Sequence, residues 1–174
     1  MNKLLRQLDG MESRRSELKG RLSALDPESL SQPPKPDKWS ILQIIWHLVD
    51  AEQKSVGAVK NRLTKPNRAR TGLKNRLRSL ALTAVLAADI PIKAPAVVAA
   101  VPESETLDFE TLWEDWDAVR REWRSVAEDL PPEGHGEALY KHPIAGTLNL
   151  SQCLKFQSDH AARHTRQIRK ILAA

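Results

Sequence analysis

Apolar residues recur at three- and four-residue steps along several stretches of the chain, and prolines separate those stretches. That spacing predicts amphipathic helices. The first covers about 2–25, where Leu4, Leu8, Met11, Leu18, Leu22 and Leu25 share a stripe that Arg15 interrupts. Pro27 and the Gln-Pro-Pro-Lys-Pro run at 32–36 end it in a stiff connection.

The second helix has a sharp start. Ser40 and Gln43 form a capping-box pair, with Trp39 and Ile44 at hydrophobic-staple spacing. Ile41, Leu42, Ile44, Ile45, Leu48 and Val49 make its first half apolar on most sides, which predicts a central place in a bundle. It fades near Pro66. A third helix is expected over about 72–88, through Leu73, Leu77, Leu80 and Leu86. Pro91, Pro95 and Pro102 predict an extended crossing segment over 90–103.

The fourth helix, about 108–129, carries Leu112, Trp116, Val119, Trp123, Val126 and Leu130 on one face until Pro131 and Pro132 stop it. Tryptophans at that spacing are read as core packing. The last helix is expected over about 149–173, with Asn149 and Gln152 as a capping pair and Leu148 and Cys153 at staple positions. Together these predict one all-α domain over 1–174. It is a four-helix bundle with an additional short helix, long connections and essentially no sheet.

Composition sharpens this picture without redirecting it. The chain has 174 residues, 41% of them apolar, which is enough to bury a core and argues against wholesale disorder. Cys153 is the single cysteine, so no intramolecular disulfide forms, as in a reducing compartment. The N-terminal segment is charged and has no signal-like apolar run. The apolar stretches also fall short of the ~20 residues a spanning helix needs. A cytoplasmic protein with no membrane partner is expected.

The net charge is +5, but it is unevenly spread: 53–88 contains no acidic residue, and nine basic residues lie between Lys54 and Arg78. Either a solvated basic face or an anion-binding surface fits that block. It holds no aromatic residue to stack on bases, so nucleic acid is not the expected partner.

The candidate chemistry lies in the histidines. His160 and His164 are four apart on the last helix and continue the line of Cys153, Phe156, Ile168 and Ile171. Two imidazoles at that spacing can ligate one metal, and two buried neutral histidines fit the pattern as well. His47 adds a third inward imidazole, on the line of Ile44 and Ala51. Cys153 lies about 10.5 Å along the helix axis from His160 at the standard rise, too far to share an ion.

Two segments carry a family resemblance. Trp39-Ser40-Ile41-Leu42 leads through Trp46-His47-Leu48 to Asp50-Ala51-Glu52. His142-Pro143-Ile144-Ala145-Gly146 leads through Asn149, Phe156, His160 and Arg163-His164 to Gln167-Ile168. In this order they resemble the two signatures of the DinB/YfiT-like family of metal-binding four-helix bundles. The stretch over about 60–130 carries no such match.

The resemblance implies that His47, His160 and His164 ligate a divalent metal. Relatives of this type include bacillithiol S-transferases and a mycothiol-dependent maleylpyruvate isomerase. Three neutral imidazoles would leave an open coordination position, the mark of a catalytic rather than a structural site. Zinc or nickel is expected, with iron and manganese as alternatives.

The expected function is a metal-dependent enzyme in which a low-molecular-weight thiol or a water attacks a small electrophilic substrate, as an S-transferase, isomerase or hydrolase. The competing readings are a non-catalytic metal-binding, stress-associated interaction protein and, last, a nucleic-acid binder using 54–78. Asp50 stands three residues after His47, either as an acceptor for the second imidazole nitrogen or as a solvated surface residue. His142 is placed at the mouth of the site or as a plain turn residue, and His135, between two glycines, as a loop residue. A homodimer is the expected assembly.

Overall fold

The computed structural model describes residues 2–88 and 101–173. Six helices carry most of it: α1 (Lys3–Leu22), α2 (Pro27–Ser31), α3 (Ile41–Leu63), α4 (Leu73–Ala87), α5 (Phe109–Asp129) and α6 (Leu150–Leu172). A two-stranded antiparallel hairpin, β1 (Tyr140–His142) and β2 (Gly146–Leu148), precedes α6. Single 3-10 turns lie at Ser104–Thr106 and Pro132–Gly136.

α1 and α3 each pack against both α5 and α6, which closes a four-helix bundle. The expected all-α class is observed. α1 buries Leu4, Leu8, Met11, Leu18 and Leu22; α3 buries Ile41, Ile44, Ile45, Leu48 and Val56; α5 contributes Trp113, Trp116 and Trp123, each almost wholly buried. Burying a large apolar side chain contributes ~1.5–3 kcal/mol, so these interior stripes set which face of each helix points inward.

Both expected capping boxes form. Ser40 Oγ accepts from the Gln43 backbone N–H at 3.2 Å, and Gln43 Oε1 accepts from the Ser40 N–H at 3.0 Å. Asn149 and Gln152 repeat the exchange at 2.9 and 3.0 Å. These caps fix the starts of the two helices that carry the histidines.

Three expectations are corrected. The first helix ends at Leu22 rather than near Leu25, although Leu25 still packs on the core. Pro27 does not merely end it: Pro27 opens the short helix α2, where a missing N–H costs nothing, and Asp26 caps that helix through the Ser29 N–H at 2.8 Å. The stripe Leu73, Leu77 and Leu80 of α4 is exposed, whereas Leu82 and Leu86 are buried. α4 thus lies outside the bundle, and it packs on α6 and β2 through a small second cluster with Ala145 and Leu148. The crossing segment expected at 90–103 falls for the most part outside the described residues.

The hairpin replaces what was expected to be a bare turn. Gly146 has φ +75°, a left-handed conformation that side chains disfavour. An added Cβ there would also stand 2.8 Å from Asn75 Oδ1 of α4. Asn75 Nδ2 donates to Thr147 Oγ1 at 2.6 Å, which fastens α4 to the hairpin. Among the described residues, no helix is long and apolar enough to cross a membrane.

Candidate metal centre

His47 projects from the second turn of α3, and His160 and His164 from the middle of α6. Their rings converge. His47 Nε2 lies 3.3 Å from His160 Nε2, and His164 Nε2 lies 3.2 Å from the same atom. One ligand atom from each of the three falls within 4.8 Å of the others. Two nitrogens bound to one tetrahedral ion at ~2.1 Å lie ~3.4 Å apart. The spacing of the chain's own nitrogens therefore fits a shared ion. Among the described residues, no carboxylate or thiol joins this group.

The second ring nitrogens differ. His164 Nδ1 lies 2.9 Å from Gln167 Oε1, an acceptor suited to the tautomer protonated at Nδ1, while Nε2 faces the other rings. His47 Nδ1 and His160 Nδ1 are buried without a hydrogen-bond partner. Burial pushes the His47 pKa down, and pushes that of His160 well down, with the neighbouring His164 and His47 adding to the second effect. The neutral form that results is the one that ligates metal. The walls are aromatic. Trp39 lies 5.1 Å from the His47 ring centroid, and Phe156 stacks on His160 at 5.6 Å.

Asp50 Oδ2 accepts from Lys54 Nζ at 2.7 Å, so its carboxylate is held by that ion pair and not by His47 Nδ1. His142 is buried, and its Nδ1 accepts from the backbone N–H groups of Ile144 and Ala145, each at 3.1 Å. It organises the hairpin turn, and its ring meets Phe156 edge-on at 4.4 Å. Phe156 thus stands between His142 and His160. Burial lowers the His142 pKa to about 4. Cys153 is fully buried, and burial together with the Glu52 carboxylate pushes its thiol pKa up, so it is no nucleophile.

Residues 11–168 match the DinB superfamily. The chain belongs to that superfamily. The uncharacterized protein YuaE of Bacillus subtilis (strain 168) is 24% identical over 156 residues, covering 90% of this chain and 88% of YuaE. No solved structure matches the chain. Membership agrees with the helical bundle and with the three-histidine cluster, and it assigns no reaction.

Sequence reasoning gave no role to a second buried polar group. Glu52 of α3 and Arg120 of α5 form an ion pair at 2.8 Å, with side chains 1% and 9% exposed. Close by, Gln157 Nε2 donates to Ser55 Oγ at 2.6 Å. The signal was present: Glu52 stands four residues after the core residue Leu48, and Arg120 four after Trp116. Opposite charges at inward positions on two helices predict a buried pair.

Proposed function

We propose that His47, His160 and His164 bind one divalent metal ion through their Nε2 atoms in a metal-dependent enzyme of small-molecule chemistry. The observation that carries this reading is the convergence of three Nε2 atoms from two helices at metal-ligand spacing. Three neutral imidazoles are a donor set suited to zinc or nickel, which are the proposed metals, with iron and manganese as alternatives. When bound, such an ion keeps its positive charge and an open position, and supplies the Lewis acidity that favours the deprotonated form of a water or thiol.

The chain's own residues do the rest. Gln167 orients His164, as the hydrogen-bonded outer partners of metal-binding histidines do. Trp39 and Phe156 pack beside the rings and keep them from turning outward. The capping boxes at Ser40 and Asn149 hold the registers of α3 and α6, on which the meeting of the rings depends.

The proposed reaction is attack by a low-molecular-weight thiol or by water on a small electrophilic substrate, in the manner of an S-transferase, isomerase or hydrolase. A homodimer is the proposed assembly, and the exposed Leu73, Leu77 and Leu80 stripe of α4 supports it. The functional test is turnover of thiol and electrophile pairs, and of hydrolysable esters and amides, by tag-free protein. Activity that vanishes with chelator and returns with zinc or nickel supports the reading. Metal-loaded protein inert to every pair points instead to a non-catalytic metal-binding role.

A further inference from the structure

On another side of α6 lies a cleft that the histidine cluster does not use. It is bounded by α1 and α6, reaches Trp116 of α5, and encloses about 260 Å³. At about 100° per residue, Ala161, Thr165 and Arg169 in its wall lie about 100°, about 140° and about 180° round α6 from His160. His164 lies only about 40° from it on the same count. The two regions therefore occupy different flanks of one helix.

The cleft is apolar in body and cationic in its polar groups. Met11, Leu18, Leu22 and Ile168 supply apolar surface. Two nearly buried guanidinium groups, Arg15 and Arg120, reach its walls, each with a side chain 9% exposed. Each is engaged on one side only. Arg15 Nε and Nη2 donate to Glu12, and Nη2 also to Asp117, while Arg120 Nη2 donates to Glu52. Arg15 Nη1, Arg120 Nε and Arg120 Nη1 are buried with no acceptor. A buried donor left unmatched is costly, and more so when it is charged. Both guanidiniums lie over the Trp116 ring, at 5.9 and 5.6 Å. Arg14, Arg21, Arg166 and Arg169 also line the cleft; Arg21 and Arg169 pair with Glu17, the acidic residue of the lining, while Arg14 and Arg166 donate to the backbone carbonyls of Gly10 and Leu86.

We propose that this cleft binds a small organic carboxylate with an apolar body, its carboxylate on the free edges of Arg15 and Arg120 and its body against Trp116 and the α1 leucines. Guanidinium donors match a carboxylate in plane and in spacing. The volume lies just below the usual range for small-molecule pockets, which limits the ligand to a compact acid. The site is independent of the metal reading, because it shares none of the three histidines.

The test is calorimetric titration of the chelator-treated full chain with benzoate, benzamide and inorganic phosphate. Saturable one-to-one binding of benzoate is expected. Benzamide should bind at least about tenfold more weakly, since it loses the charge-assisted hydrogen bonds. Phosphate should bind no better than benzamide, having no apolar body. Ala162→Phe grows a side chain into the cleft and should abolish binding with an unchanged circular dichroism spectrum. In the unmodified protein, benzoate should shift amide resonances in α1 and the second half of α6 and leave those around His47 in place, a readout that does not depend on any variant folding. Four results would each overturn the proposal: no saturable binding, benzamide or phosphate matching benzoate, full affinity in folded Ala162→Phe, or shifts centred on His47.

Discussion

Two polar clusters hang from the same helix and are built in opposite ways. Glu52 faces α5 and meets Arg120, an opposite charge that answers part of the cost of its burial, although burial still pushes the Glu52 carboxyl pKa up. His47, five residues earlier, faces α6 and meets two more imidazoles, none of which supplies a charge of opposite sign. The first cluster is an ion pair between bundle helices. The second brings the Nε2 atoms of three imidazoles to metal-ligand spacing with no carboxylate or thiol among them. Opposite charges that meet tie two helices together, whereas like donor atoms that converge at ligand spacing form the proposed metal centre.

The largest expected effect tests the ion pair. Glu52→Ala leaves Arg120 buried without its partner and should cost ~3–5 kcal/mol in urea denaturation. The double variant Glu52→Leu with Arg120→Met should recover most of that loss, because an apolar pair removes both desolvation penalties. A Glu52→Ala cost below about 1 kcal/mol would mean the pair is solvated, and the contrast would fail.

His142 lies between these cases: buried, neutral and answered by two backbone N–H donors. Its pKa is lowered to about 4 in the folded chain. Below the ordinary histidine value of ~6.5 the unfolded chain takes up a proton that the folded chain refuses. Its contribution is therefore full above pH ~6.5 and is lost as the pH falls toward the folded value, on the order of 3 kcal/mol in all. His142→Asn keeps an acceptor for the turn and removes the titration. The pH slope of stability between those limits should flatten by about one proton relative to the parent. An unchanged slope would show that His142 is not held neutral.

For the histidine cluster the sign reverses. His164→Ala removes one half-buried imidazole and its hydrogen bond to Gln167 while improving helix propensity, so metal-free stability should change by only about 1 kcal/mol. What it should lose is stabilisation by added zinc, about 2.7 kcal/mol at a hundredfold excess over Kd in the parent. A large metal-free loss would make the histidines core residues. The smallest effect is expected at exposed Arg76→Gln and Arg78→Gln, within about 0.5 kcal/mol, and it sets the baseline for charges outside both clusters.

Much of this was legible in the sequence, and the exceptions have physical causes. α1, α3, α5 and α6 follow from stripes and caps that act over a few residues, and so does the meeting of His160 and His164 on one face. The partner of His47 depends on which bundle helix lies beside α3, which periodicity does not carry. α4 was placed by its leucines, yet Leu73, Leu77 and Leu80 face out, because its position is set by Leu82, Leu86 and Asn75 against the hairpin. The hairpin went unseen because its strands are three residues each and its turn is organised by a histidine side chain. Asp50 shows the limit of spacing: three residues from His47, it is held by Lys54 on its own helix.

The most direct measurement of the central claim is direct metal binding by the tag-free, chelator-stripped full chain. Zinc, nickel, iron(II) and manganese would be offered in turn and followed by calorimetry and elemental analysis. One ion per chain is expected, held at micromolar Kd or tighter for zinc or nickel, and lost on replacing any one of His47, His160 or His164 by alanine. If none of the four ions binds in that range, or if the alanine variants bind as well as the parent, the three histidines are not a metal centre.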